Sequence, residues 1–516
     1  MNKTLLIAGA SMLALSLSSG AALASDPQTD ARIAELEDRI AQLEETNRRL
    51  LEYLESQQQP QGAPHHSGPS SHHQRSHAPA ATQTPAPQQH ASHHADHHGE
   101  NATGGYVGLS SEYSFRMLDH AENVNNRQLI MLQAMQNGEL NNRVTLGGGL
   151  TVLANYQRSN SDTKFGWLMR HPTSNNQIGE EVSEFVVHAA SLQTTARFSD
   201  NITGYLELLY NPEQSFGSGT ITDLNRNQIQ MRKAYVLFGN LDETPWYAAI
   251  GKMDTPFGLQ DTVSPFTNST TWHAFAGLAY GGLVGYYNNG FHLRAMGIQG
   301  GSQFRAHNTS VQGTNVPSRV NNFAVDANYT ADLGNDNTLL VGASYTHGST
   351  YCTAFPVLHF NPCADNNPAY SVYGRLEAGA FTLLGEFAST TDVWPGSHNP
   401  NAPLNVFEAV ETSSWALGGR YDMDIGADSP LAFSFEFSRF TAGDEGSPWE
   451  DQDQWVGGLS YFATPTVKLF GEVIHTEGWV PLNFLSGGTP GMPINTTWSE
   501  ADAETDVITV GVQAAF

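Results

Sequence analysis

The sequence predicts an all-β transmembrane barrel of about 16 antiparallel strands, preceded by an N-terminal α-helical coiled coil. Three observations carry that prediction. The chain ends on an alternating strand, Asp506–Phe516, with Ile508, Val510, Val512, Ala514 and Phe516 on one face and Thr509, Gly511, Gln513 and Ala515 on the other. About 9–11 tilted residues of this two-residue period cross a bilayer. Upstream, short turns alternate with long polar loops between further such strands. Finally, no apolar run near 20 residues follows the N-terminus, which rules out a helical membrane protein but not a barrel, whose lipid face uses alternate residues.

Composition narrows the partners. The 24 Lys+Arg against 51 Asp+Glu give a net charge of -27, which argues against nucleic acid, because neutralising phosphates needs a basic surface. Cys352 and Cys363 lie eleven apart in an Asn- and Pro-rich segment. In an exported chain such a pair is expected to form a local disulfide.

Residues 1–24 read as a secretory signal peptide: Lys3, an apolar centre from Leu5 to Leu17, then the small-residue site Ala22-Leu23-Ala24. Residues 25–56 carry heptads, with Ile33, Ile40, Asn47 and Leu54 at a and Leu36, Leu43 and Leu50 at d. This is a coiled-coil pattern and predicts a homo-oligomer, two- or three-stranded. Residues 57–105 turn to His, Pro and Gln without apolar period, the composition of a disordered linker. Its histidines, among them His65, His66, His72, His73, His93, His94, His97 and His98, offer paired imidazoles for loose chelation of Zn or another transition metal, without the spacing of a closed zinc site. Residues 106–141 read as a periplasmic segment with a short helix over Asn123–Asn137, ended by Gly138.

The barrel is assigned to residues 142–516. Its strands are expected at 145–156, 184–198, 201–210, 228–239, 246–253, 279–288, 291–299, 322–331, 338–347, 369–378, 380–389, 412–421, 431–441, 454–462, 466–475 and 506–516. Turns after even-numbered strands are short and connections after odd-numbered ones long, the loop asymmetry of an outer-membrane barrel with both ends in the periplasm. Trp246, Tyr247, Tyr286, Tyr287, Tyr461 and Phe462 fall near strand ends, where interfacial aromatics belong. Phe516 is a C-terminal aromatic of the kind that such barrels present to their assembly machinery, and the last strand must pair with the one near residue 145.

A sixteen-stranded barrel leaves an aqueous lumen unless a loop or plug fills it. With only a coiled coil and a linker expected ahead of the barrel, passive or facilitated diffusion follows. The third long loop (Gly251 to Trp272, GKMDTPFGLQDTVSPFTNSTTW) resembles the strand-and-loop sequence of phosphate- and carbohydrate-type porins, whose third loop folds into the pore. By that resemblance Lys252, Asp254 and Asp261 are constriction candidates. Arg232 and Lys233 are two more, although alternation lets only one of two neighbours face inward. Acidic loops (Asp444, Glu445, Glu450, Asp451 and Asp453, then Glu500, Asp502, Glu504 and Asp506) would steer cations to the mouth or hold divalent ions among lipopolysaccharide. His188, His273, His292 and His347 show no spacing that assembles a nucleophile, base and oxyanion donors, so no enzyme is expected.

Taken together, the stretches 232–252, 264–290, 321–330 and 381–390 and the final VITVGVQAAF resemble the LbtU-like siderophore porins, the family of the legiobactin receptor. The resemblance implies an outer-membrane barrel, in contact with lipid and lipopolysaccharide, that takes up a ferric siderophore or similar small solute. A general or cation-selective diffusion porin, in which the His-rich linker points to zinc, is the alternative. An envelope-tethering barrel protein is another.

Overall fold

The computed structural model describes residues 105–160, 167, 180–211, 228–303, 305–309, 319–335, 337–352, 363–395, 408–424, 430–447, 449–478 and 503–516. The signal peptide, the heptads and the His-rich linker with all its candidate metal ligands lie outside the described residues.

Sixteen strands form the wall. The first six are β1 (Val144–Ser159), β2 (Glu181–Ser199), β3 (Ile202–Tyr210), β4 (Ile229–Phe238), β5 (Trp246–Asp254) and β6 (Gly277–Asn288). Then come β7 (Phe291–Gln299), β8 (Val320–Gly334), β9 (Asn337–Thr346), β10 (Ala369–Ala378) and β11 (Phe381–Val393). The last five are β12 (Ala409–Asp424), β13 (Pro430–Gly443), β14 (Asp451–Thr464), β15 (Val467–Gly478) and β16 (Glu504–Ala515). Each pairs antiparallel with its neighbours in sequence, and β16 returns to β1 from Thr505↔Ser159 to Ala515↔Gly149, which closes the barrel. Closure satisfies every edge, as a span through hydrocarbon demands.

Alternation sorts the two faces. Phe185, Val284, Leu383, Leu417, Phe435, Val473, Ile508 and Val510 stand exposed on the outer surface. This is an apolar band that water would not tolerate and lipid does, so the chain is a transmembrane barrel. Among the described residues no helix is long and apolar enough to cross a membrane. One two-residue turn is Asn289-Gly290, with φ of 48° and 81° at its two residues. That conformation matches strand twist in a two-residue hairpin and favours the Asn-Gly pair found there.

At the seam, Phe516 exchanges backbone hydrogen bonds with Gly148 at 3.0 and 3.1 Å. Just below it the short strand Val107–Leu109 runs parallel to the start of β1, Val107 opposite Val144. From there the chain turns into the barrel as α1 (Ser111–Arg116), a 3-10 turn (Val124–Asn126) and α2 (Arg127–Gln136), which stops at Gly138 with a φ of 75°. The connection after β5 also turns inward and carries α3 (Thr270–Phe275), whose first turn is capped by Ser269 Oγ accepting from Trp272 N at 3.2 Å. The loop after β9 holds a disulfide between Cys352 and Cys363, with Cα atoms 4.8 Å apart.

Candidate functional site

Among the described residues, two segments run through the lumen. The first is residues 110–143. Its α2 carries Ile130, Met131, Leu132 and Ala134 into one buried cluster with Tyr205, Tyr235, Leu237, Tyr247, Ala249 and Leu283 of the wall. Each fully buried aliphatic side chain contributes about 1.5–3 kcal/mol, so this helix is seated by apolar burial. Tyr113 of α1 reaches Thr195 of β2 at 3.0 Å, and Met135 Sδ accepts from the Thr203 hydroxyl. A stretch expected to lie in the periplasm is therefore folded against the inner wall and plugs it.

The plug's tip, residues 119–126, is held mainly by charge, with Val124 buried and the His120 ring stacked on Phe266 at 4.4 Å. Asp119 lies 3.0 Å from Lys233 Nζ, 3.0 Å from Arg127 and 3.5 Å from Arg232. Arg127 also reaches Asp254 at 3.0 Å, and Lys233 lies 3.5 Å from Glu207. Three acids and three bases thus close on one another, which is how charges survive burial. Burial alone would raise the Asp119 carboxyl, but Lys233, Arg232 and Arg127 hold it well below the usual carboxylate range. Further round, Glu122 pairs with Arg420 of β12, which pulls its carboxyl down to about 2. Arg294 of β7, paired with Asp326 of β8 at 2.7 Å, donates to the Asn125 carbonyl. Lys468 of β15 donates to the His120 carbonyl at 3.3 Å, and His120 Nε2 faces His188 Nε2 of β2 at 3.2 Å.

The second segment is the connection after β5, residues 255–276. Three glutamates of alternate wall strands clamp its backbone. Glu386 of β11 accepts from Leu259 N and Gln260 N, both at 3.0 Å. Glu436 of β13 accepts from Val263 N at 3.2 Å and the Thr262 hydroxyl at 2.7 Å. Glu472 of β15 accepts from Phe266 N at 2.7 Å and Thr267 N at 3.0 Å. Hydrogen bonds to an ionisable carboxyl are strong, and in a site closed to water they leave the loop little freedom. The loop and the plug's tip meet at Asp261, which accepts from Val124 N at 3.2 Å and pairs with Arg375 of β10 at 3.1 Å. Burial there outweighs Arg375 and pushes the Asp261 carboxyl up to about 6.

The inward charges confirm that this lumen is packed. Lys233 and Asp326 are 0% exposed and Arg127 is 2% exposed, where a water-filled pore would leave such groups wet. Between tip and loop lies a cavity of about 30 Å3, lined among others by Asp119, Asn125, Arg127, Arg232, Asp254 and Gln260. That is room for about one water molecule.

The sequence-derived candidates are placed as follows. Arg232 and Lys233 both face inward, against the expectation that only one could. Glu207 pairs with Lys233 while Leu208 pairs with Met231, so Arg232 is the extra residue of a β-bulge that resets the alternation. Asp254 and Asp261 lie in the lumen, in separate charge clusters. Lys252 does not: it sits on the outer face, donating to the Met231 carbonyl at 3.0 Å beside Tyr280. Among the aromatics, Trp246 and Tyr286 meet edge to face at 4.9 Å on the outer surface, but Tyr247 points inward and bonds His292 at 2.7 Å. Of the acidic loop residues, Asp453 is paired with Arg439 and Asp506 with His475. Among the described residues, no three His, Cys, Asp or Glu side chains are grouped to hold a metal.

Sequence reasoning passed over Asp119, Arg127 and the three clamp glutamates. A signal existed for the glutamates: each is the one acid at the centre of an alternating apolar strand, as in LLGEFAS, FSFEFS and LFGEVIH.

No family model matches the chain. A UPF0422 protein of Coxiella burnetii is 26% identical over 211 residues, 39% of this chain and 40% of that protein, so the match spans well under half of that relative. Among solved structures, the outer membrane channel DcaP of Acinetobacter baumannii aligns with a TM-score of 0.44 at 14% identity, over 72% of this chain and 97% of that one. The anion-selective porin from Comamonas acidovorans gives 0.44 at 12% identity over 72% and 99% of the two chains. OprB of Pseudomonas putida gives 0.44 at 9% identity over 74% and 96%.

Proposed function

We propose that the chain is a gated outer-membrane channel for facilitated uptake of a ferric siderophore or similar small metal complex, opened when the plug's tip leaves the lumen. One observation carries the gate: the tip is held by Asp119 and Glu122 through ion pairs, to Lys233, Arg232 and Arg420 of the wall and to Arg127 at the start of α2, and by backbone carbonyls, while the apolar seat belongs to α2. Water can solvate the released charges, so tip displacement exposes little apolar surface beyond Val124 and the His120–Phe266 contact, while α2 keeps its own apolar seat. The resemblance of the barrel strands to siderophore porins supports the solute class. Uptake of iron-55 as a siderophore complex by cells with and without the gene tests that class, and equal uptake sinks it.

A cation-selective diffusion channel is the second reading. Asp444, Glu445, Glu450, Glu477 and Glu504 all lie on or beside the long-loop rim of the barrel, where they raise the local cation concentration. Reversal potentials across planar bilayers separate the two, since anion preference contradicts the second.

A further inference from the structure

We propose that His120 of the plug's tip and His188 of β2 form an open binding site for one divalent transition-metal ion of the zinc, copper or nickel class, held between their two Nε2 atoms. Those atoms lie 3.2 Å apart. Zn–N bonds of about 2.0–2.1 Å at a tetrahedral angle put two ligand nitrogens about 3.3 Å apart, so the pair already stands at chelating distance. The ring centroids are 5.2 Å apart, which turns the two nitrogen tips towards one another. His120 Nδ1 donates to the Phe266 carbonyl at 2.8 Å, so in the neutral ring Nε2 is the acceptor, facing His188. A metal-ligating histidine makes the same kind of outer bond, which fixes its tautomer and ring orientation.

Both rings are positioned before an ion arrives. Phe266 stacks on His120 at 4.4 Å and meets His188 edge to face at 4.8 Å, and Glu472 in turn holds the Phe266 amide. His188 is the extra residue of a β-bulge, since Thr151 pairs with Ala189 and Val152 with Val187. Bulges re-aim side chains beside functional sites. Lys468 brings a positive charge to the His120 carbonyl, and Glu472, at the Phe266 amide, offsets it. Among the described residues no third His, Cys, Asp or Glu side chain joins the pair. Water, or donor atoms that the ion brings with it, therefore complete the coordination on the side of His120, which is partly exposed while His188 is buried. The ion takes the place of the proton between the two Nε2 atoms, which His188 then carries on Nδ1. Neutral imidazoles suit such borderline ions. The site stands without the gated-channel reading; under that reading, a bound ion ties tip to wall and keeps the channel shut.

Crystals of the full chain grown with zinc test the site directly. An anomalous-scattering peak at about 2.0–2.1 Å from both Nε2 atoms is expected. No peak there leaves the pair a plain N–H···N hydrogen bond and overturns the site. Zinc should also raise the thermal midpoint of the barrel, and His188→Asn should raise the zinc concentration needed at least about tenfold, because losing a ligand costs no less than losing an outer-shell partner. His347→Asn, at a ring stacked on Phe323 away from the pair, should need no more zinc than the natural chain. The His-rich linker is present in every variant, so an equal response to zinc in all of them overturns the site. If His188→Asn fails to fold, the peak in the unmodified chain decides. In planar bilayers zinc should shorten the open time of the natural chain; a peak at the pair without that effect upholds the site and counts against the gate.

Discussion

Lys233 Nζ, on the barrel wall, lies 3.0 Å from Asp119 Oδ1, on the plug; Lys233 is fully buried and Asp119 keeps only 17% of its side chain exposed. Removing Asp119 leaves Lys233 with Glu207 at 3.5 Å and Asp254 at 3.6 Å, so the loss stays below the about 3–5 kcal/mol of a fully stranded buried charge. Asp119→Asn should therefore lower the thermal midpoint of the purified barrel, measured by circular dichroism, more than Glu122→Gln, because Glu122 is half exposed and screened by water. The reverse order contradicts the placement of the lock at Asp119.

The joint at Asp261 makes plug seating pH-dependent, with a defined sign. Its carboxyl is raised from the ordinary 3.8 to about 6 while the tip is seated, and hydration after release returns it towards the ordinary value. The seated state then binds a proton that the released state does not, so seating strengthens as pH falls from above 6 towards 4, by at most about tenfold per pH unit. Asp119, held low, keeps its charge across that window and loses its stabilising pairs only as pH falls through its own depressed pKa. Open-channel time in bilayers should be shorter at pH 5 than at pH 7.5, and Asp261→Asn should flatten the profile. A longer open time at pH 5 contradicts this sign.

The three clamp glutamates should matter for the loop and not for the plug. Glu472→Ala leaves the buried amides of Phe266 and Thr267 without an acceptor, a cost of about 1–3 kcal/mol for each group. Proteolysis within residues 255–276 should quicken in this variant while cleavage within α2 stays slow. Equal acceleration at both sites counts against separate clamping.

Phe516 exchanges two backbone hydrogen bonds with Gly148 and closes the seam between β16 and β1. Deleting it should reduce the amount of barrel in the outer membrane, measured by quantitative immunoblot, and leave single-channel conductance of the assembled fraction unchanged. Normal membrane levels oppose an assembly role.

The wall was legible in the sequence because two-residue alternation and polar loops are local signals. Each of the sixteen expected strands overlaps an observed one, and the helix expected over Asn123–Asn137 appears as the 3-10 turn and α2. The plug was not legible, for a physical reason: DHAENVNN (119–126) reads as an ordinary polar loop, and its partners lie hundreds of residues away, as with Glu122 and Arg420. Facing failed where alternation itself breaks. The bulge at Arg232 turns two neighbours inward, and Lys252, chosen by its place in a motif, lies on the outer face. The third loop entered the lumen as its resemblance implied, but the glutamates that hold it come from β11, β13 and β15, which no local pattern links to it.

The most direct test of the gate is conductance of the full chain in planar bilayers beside a variant whose tip, Asp119 to Asn126, is replaced by a glycine-serine segment of equal length. The plugged lumen predicts rare, short openings for the natural chain and steady, larger openings for the variant, with α2 still seated. Equal conductance of the two, at the level of an open sixteen-stranded pore, would contradict the claim that residues 119–126 close the channel.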